Sequence, residues 1–320
     1  MVIDTLCDLP TREGLHLLME EIALKQDLRG YLDAYGKAIS RALQLEPAEF
    51  LERISANEPR RFLEWISPRL EKIAMEPGQF MQLLEVAGVN KAVLYHFDEE
   101  TTSGHKGPSN DFYAGLVRKH PDRLMAYAAA DPHKGAEAVR ELERSVKELG
   151  LHGLAVRPFM HRVRADAPLY HPLYAKCSEL GVPVWIHTSV NFSRTSPLEF
   201  GRPIHLDAVA CAFPRLKIIA GHGGWPWVAE MAAVAWKHPN VYLDFATVRP
   251  SYMARTGSGW EPLFQYGNHV IQKKVLFAST WMLMGMLPPA LAEEVRGLPL
   301  KPDTVERWLG KNAAELFRIG

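Results

Sequence analysis

Apolar and polar residues along this chain follow two periods. Runs rich in β-branched and apolar residues at Val2 to Cys7, Ala92 to Tyr95, Leu124 to Ala129, Gly153 to Val156, Val182 to Ile186, Lys217 to Ala220, Val241 to Phe245 and Val275 to Ala278 read as eight strands. Between them lie stretches of helical spacing. Gly135 to Leu149, for example, carries Ala138, Val139, Leu142, Val146 and Leu149 on one face. Gly88, Gly150 and Gly181 each end a helical stretch and lead into a strand, as a glycine C-cap does at a helix-to-strand joint. Eight β–α units in this length predict a closed (β/α)8 barrel, an α/β fold. The structural alternative is a doubly wound open sheet. It wants a phosphate-binding glycine fingerprint after the first strand, and Asp8-Leu-Pro-Thr-Arg-Glu-Gly is not one.

One interval breaks the rhythm. About eighty residues separate the first strand from Lys91, far more than one crossover needs. Helical patterns fill them at Leu15 to Leu28, Tyr31 to Leu45, Pro47 to Ile54, Arg60 to Ala74 and Pro77 to Val86. The chain therefore reads as one barrel unit over 1–320 with a helical insertion at about 11–88. That insertion follows the first strand, so it is expected to form a cap on the catalytic face or a subunit contact. Polar loops at Asp98 to Asn110 and around Pro250 to Gly259 are expected to line the same mouth.

Composition narrows the class of partner. Lys and Arg total 37 and so do Asp and Glu, so nothing suggests nucleic acid as a partner. The N-terminus, with Asp4, has no leader pattern, and no apolar run approaches a membrane span. Three well-separated cysteines, Cys7, Cys177 and Cys211, read as buried small residues in a reducing compartment. A cytoplasmic protein with a small-molecule substrate is the expectation.

The C-terminal ends of barrel strands are where side chains do chemistry. His187 closes Val182-Pro-Val-Trp-Ile-His, and alternation places it on the same side as Trp185. His222 closes Leu216-Lys-Ile-Ile-Ala-Gly-His and is followed by Gly223 and Gly224, with Trp225-Pro-Trp expected to open the next helix. A helix N-terminus there would disfavour imidazolium and leave a neutral base. The alternatives are a turn histidine for His222 and a core histidine for His187. Asp8 follows the first strand, and His96 follows the second. Thr280 and Trp281 follow the last and stand as candidate substrate contacts with His96. Trp225, Trp227, Trp236 and Trp281 also read as packing or interface residues. Arg157 ends the fourth strand, where a guanidinium can fork onto a carboxylate. Its structural alternative is an ion pair with Asp8 or Asp131. Asp244 reads as a structural hydrogen-bonding residue, and Cys7 is expected to face away from Asp8.

Taken together, Ile3-Asp-Thr with Leu9-Pro-Thr-Arg-Glu, His120-Pro-Asp-Arg-Leu, Gly181-Val-Pro-Val-Trp-Ile-His, Pro214-Arg-Leu-Lys-Ile-Ile-Ala-Gly-His-Gly-Gly, Pro239-Asn-Val-Tyr-Leu-Asp, Lys274-Val-Leu-Phe-Ala-Ser and Lys311-Asn-Ala-Ala-Glu-Leu-Phe resemble the amidohydrolase superfamily, in its decarboxylase-like amidohydrolase 2 branch. The resemblance implies a divalent metal held by His-x-His on the first strand, a histidine on the fifth and an aspartate on the eighth. It also implies a sixth-strand histidine that handles protons. Only His187 and His222 match that pattern. The His-x-His positions hold Leu6 and Asp8, and the aspartate position holds Thr280. Asp8 and His187 are then the remaining candidate ligands. Two ligands hold Zn²⁺ or another divalent ion weakly, so no cofactor is expected unless His96 or His105 supplements them.

The resemblance thus implies a hydrolase or decarboxylase of a small organic acid, with His222 as acid and base. In its metal-free form Asp8 and His187 position the substrate, and Arg157, with Gly223 and Gly224, takes its carboxylate. Two other readings stand beside it. One is an inactive homologue that partners a competent paralogue, and the other is a ligand-binding barrel. A homodimer, or a heteromer with that paralogue, is the expected assembly.

Overall fold

The computed structural model describes residues 1–319, with Gly320 outside. Its strands are β1 (Val2–Cys7), β2 (Val89–Leu94), β3 (Leu124–Ala126), β4 (Ala128–Ala129), β5 (Leu154–Val156), β6 (Val184–His187), β7 (Ile218–Gly221), β8 (Val241–Asp244) and β9 (Val275–Leu276). All pairings are parallel and follow chain order, in a β1–β2–β3 ladder and a β4-to-β9 ladder. The predicted strand Leu124 to Ala129 is divided at Tyr127. Its N–H donates to Leu94 O at 3.0 Å, whereas the Ala128 N–H donates to Gly153 O at 2.7 Å. One strand thus hands the pairing from β2 to β5. At the opposite seam the Thr5 N–H donates to Phe277 O at 2.9 Å, which ties the last strand to the first. The fold is a TIM barrel. Neighbours in strict chain order exclude the doubly wound sheet, whose order reverses at a switch point.

Alternation assigns the two faces of each strand. On β6, Val184 and Ile186 join the outer core against the helices, whereas Trp185 joins Ile3, Val93, Met125, Tyr127 and Ile219 inside the barrel. Trp185 fits there because its indole extends past its β7 partner Ile219 to Gly221, which has no side chain. A Cβ at position 221 would stand 2.1 Å from the indole ring.

Between β1 and β2 lie α1 (Arg12–Leu24), α2 (Arg29–Ala42), α3 (Pro47–Ser55), α4 (Pro59–Ile73) and α5 (Pro77–Val86). Thr11 caps α1 by accepting from the Gly14 N–H at 3.3 Å, and α3, α4 and α5 each open with proline, whose missing N–H costs nothing there. α1 packs on α4, and α2 packs on the short helix Trp281–Met284 that follows β9. That second contact seats the insertion on the C-terminal end of the barrel. Helix α1 stops at Leu24, earlier than the pattern to Leu28 suggests, and a tight turn leads into α2. No helix among the described residues is long and apolar enough to cross a membrane.

Candidate active site at the barrel mouth

A cavity of ≈ 150 Å³ opens at the C-terminal ends of the strands. Leu6, Trp185, His187 and His222 form its floor, and Leu18, Ile22, Tyr31, Leu32, Tyr35 and Ile39 from α1, α2 and their joint roof it. The insertion is therefore part of the site. The polar loops Asp98 to Asn110 and Pro250 to Gly259 contribute nothing to this wall. Ser189, Val190 and Phe192 after β6, and Thr247 and Val248 after β8, take that place.

The two histidines meet with ring centroids 4.7 Å apart. Phe159 stands edge-on to His187 at 4.7 Å, and Trp185 edge-on to His222 at 5.3 Å. His222 Nδ1 lies 3.1 Å from Ala246 O, and since a carbonyl only accepts, Nδ1 carries the proton. Nε2 is left as the lone-pair nitrogen. The Thr247 hydroxyl donates to the same carbonyl at 2.6 Å and lies 3.1 Å from Nδ1. Asp244 fixes the backbone, accepting from the His222 N–H at 2.9 Å, and takes the Trp185 indole N–H at 2.6 Å. It has the structural role its position in β8 suggests.

Burial pushes the pKa of His222 below the usual imidazole value, with Asp244 offsetting part of the effect. Burial lowers His187 further, helped by His222 and Arg157. Both rings are neutral at pH 7. The cause differs from the expected helix field. Trp225-Pro-Trp does not open the helix, which starts at Val228, and His222–Gly224 form only a tight turn. His222, Thr247 and Thr280 all have positive φ (67°, 63° and 37°), an unfavourable backbone state for any residue with a Cβ and more so for threonine. The Thr280 hydroxyl holds two of them together by accepting from the Thr247 N–H at 2.7 Å.

The remaining candidates divide. Thr280 lines the cavity, but Asp8, His96 and Trp281 do not. The strand ends at Cys7, so the alternation that would point Leu6 and Asp8 the same way stops before Asp8. Asp8 instead accepts from Tyr95 OH at 2.6 Å and from the Met282 N–H at 2.8 Å, facing a second cavity behind Tyr95. Burial pushes its pKa up to about 6. His96 lines that second cavity, stacked on Tyr113. Trp281 is buried and donates its indole N–H to Asp8 O at 3.3 Å. Cys7 is buried and its thiol is pushed well up by burial, so it supplies no thiolate.

Arg157 pairs with neither Asp8 nor Asp131. It forks onto Glu99, Nε to Oε1 at 2.6 Å and Nη2 to Oε2 at 2.7 Å, and Nη2 also donates to Glu21 of α1. Lys25 completes the group, 2.7 Å from Glu99 and 3.1 Å from Glu21. Asp131 is unavailable because its carboxylate accepts the Thr101 and His133 N–H groups at 2.9 and 3.0 Å. The sequence reading missed Glu21, Lys25 and Glu99. An acid in the last turn of α1 and a base four residues on, at its C-cap, was the available signal for the first two.

A family model described as Amidohydrolase matches residues 56–319. The chain belongs to the amidohydrolase family. Among curated relatives, a gamma-resorcylate decarboxylase of a Polaromonas species is 31% identical over 174 residues, 46% of this chain and 51% of that protein. The chain spans about half the length of the first curated relatives it matches. Among solved structures, an uncharacterized TIM-barrel protein from Bordetella bronchiseptica superposes with a TM-score of 0.71 at 23% identity, covering 99% of this chain and 98% of that one. A 5-carboxyvanillate decarboxylase from Novosphingobium aromaticivorans, solved with manganese and 4-hydroxy-3-methoxy-5-nitrobenzoic acid, gives 0.62 at 16% identity, covering 100% and 96%.

The manganese of that neighbour prompts a test of the donors here. Around His187 the cavity offers the His222 ring, 4.7 Å away, Leu6, which has no donor atom, Thr280, a neutral hydroxyl, and Glu21, whose carboxylate is already held by Arg157 and Lys25, with the Arg157 cation lining the same wall. Among the described residues the cluster with metal-ligand spacing is Asp207, Cys211 and His238, none of which lines the mouth. Asp207 Oδ1 there is already taken by Lys237 and His238, each at 2.6 Å. The donor set at the mouth does not fit a divalent ion.

Proposed function

We propose that this amidohydrolase-family barrel acts on a small aromatic compound by metal-independent hydrolysis, with His222 as the proton acceptor. The observation that carries this reading is the 3.1 Å contact between His222 Nδ1 and Ala246 O. Nδ1–H is committed to Ala246 O, and burial keeps the ring neutral, so Nε2 is a base at pH 7. The cavity supplies the rest. Its walls are apolar and aromatic, and an apolar space of about 150 Å³ accepts a benzene-sized ring. Two buried polar atoms, Tyr31 Oη and His187 Nδ1, lack hydrogen-bond partners among the described residues. A carbonyl or hydroxyl on the ligand satisfies them, where an aliphatic group leaves them unpaired.

In the step that follows, His222 Nε2 takes a proton from water and the hydroxyl oxygen adds to the substrate carbonyl carbon. The bond from that carbon to the leaving oxygen or nitrogen breaks, and the histidine returns the proton to it.

The reading is tested by assaying purified, chelator-treated protein against aromatic esters and amides for acid release, and against hydroxybenzoates for CO₂ release. Ester or amide cleavage is expected, rising with pH through an inflection below 6.5 as His222 loses its proton. His222→Asn, which tolerates the left-handed backbone, should lower turnover by roughly 100-fold or more. Retained turnover in that variant, or a requirement for added manganese, overturns the reading. A second reading, decarboxylation of an aromatic acid, is favoured by the 31% identity to a gamma-resorcylate decarboxylase, and CO₂ release would establish it. Binding without either product leaves a ligand-binding barrel.

A further inference from the structure

We propose that Glu21 makes the mouth of this barrel selective for uncharged aromatic ligands, by holding its own carboxylate against Arg157 where a substrate carboxylate would dock. Arg157 is the cationic residue on the cavity wall, and Glu21 lines the same cavity beside it. Behind them Glu99 and Lys25 complete a closed group of two cations and two anions, joined by the Arg157 and Lys25 contacts to both carboxylates. Glu99 is fully buried, and the Arg157 and Lys25 side chains are 11% and 2% exposed. Burial alone would raise Glu21, but Arg157 and Lys25 outweigh it and hold its carboxyl well down, so it stays ionised.

A third carboxylate arriving here meets a neutral group and leaves an uncompensated negative charge in a partly buried site, where the Glu21 side chain is 26% exposed, which is unfavourable. The neighbouring rings give no help, because burial keeps His187 and His222 uncharged. An uncharged ring faces no such penalty. It also finds Arg157 already screened, with its guanidinium 4.0 Å over the Phe97 ring. Glu21 belongs to α1, within the insertion, so ligand charge is set by the cap and not by the barrel strands.

The inference rests on the aromatic-lined pocket of the proposed function but not on turnover, so binding tests it separately from catalysis. The probes are benzamide and benzoate, of nearly equal shape and differing by one charge, titrated by calorimetry at pH 8 into the whole chain. Wild type is expected to bind benzamide at least about tenfold more tightly than benzoate. Glu21→Gln, which leaves Arg157 and Lys25 against Glu99 alone, is expected to move that ratio toward benzoate by about tenfold or more. Equal or tighter binding of benzoate by wild type overturns the proposal and requires no variant. An unchanged ratio in a folded Glu21→Gln, or binding of neither probe, also overturns it. A protein that shows the expected ratio but no turnover keeps this inference and loses the hydrolase reading.

Discussion

His96 lies flat on Tyr113, with ring centroids 4.2 Å apart, and neither ring nitrogen has a hydrogen-bond partner among the described residues. Burial pushes its pKa down to about 3, against an ordinary value near 6.5. Between those values the unfolded chain binds the proton and the folded chain does not, so stability is full above pH 6.5 and is lost as pH falls toward 3. Acidification from pH 7.5 to 5 should therefore cost about 2 kcal/mol through this one group. His96→Phe keeps the stack and removes the titration. Its urea-unfolding free energy should fall less on acidification than that of wild type by about that amount. Identical pH slopes in the two proteins would show that His96 finds a partner for its proton. Asp8 acts with the opposite sign: its pKa is raised to about 6, so its contribution is present in acid and lost as pH rises. Comparing wild type with the variant removes that shared term. The strand-end rule picked out His187, His222 and Thr280 in the sequence, and all three line the cavity. It had no access to Glu21, because no local pattern says which strand end a cap helix will meet.

Strand β1 shows how far a single element can be read. Its pattern predicts Val2 to Cys7, and the strand has those bounds. What the pattern does not reveal is a register shift between Asp4 and Cys7, where β1 spends one residue more than β2. Near that irregularity the buried Asp4 carboxylate accepts from the Ser279 N–H at 2.9 Å and the Leu6 N–H at 3.3 Å, and Ser279 Oγ donates to it at 2.5 Å. One side chain thus serves backbone groups on both sides of the barrel seam. Asp4→Ala leaves those donors buried without an acceptor and should destabilise the fold by on the order of 3 kcal/mol, measured by denaturant unfolding. A change below about 0.5 kcal/mol would mean that the seam is carried by the Thr5-to-Phe277 bond and its packing. The last strand is shorter than its apolar run because the Phe277 N–H is given to Trp308 O at 2.8 Å, across the base of the same seam.

At the scale of the molecule, barrel and helical insertion share one cavity, and the donor chemistry of that cavity supports the metal-independent reading. Elemental analysis should find no stoichiometric manganese or zinc, and excess chelator should leave the melting midpoint unchanged within about 1 °C, since a ligand of the native state alone would raise it. A midpoint that falls on chelation would place a metal in the fold. The sequence by itself determined the α/β class, the strand and helix order, the place of the insertion and the strand ends that carry His187 and His222. Those follow from periodicity and local turn chemistry, which act over a few residues. Tertiary structure decided what surrounds those strand ends. Asp8 turns behind Tyr95, and Arg157 is held by Glu21 and Glu99, 136 and 58 residues away along the chain. Burial, more than any helix end, makes the histidines neutral. Charge pairing and desolvation depend on which distant segments meet, and only the folded barrel with its helical insertion brings these together.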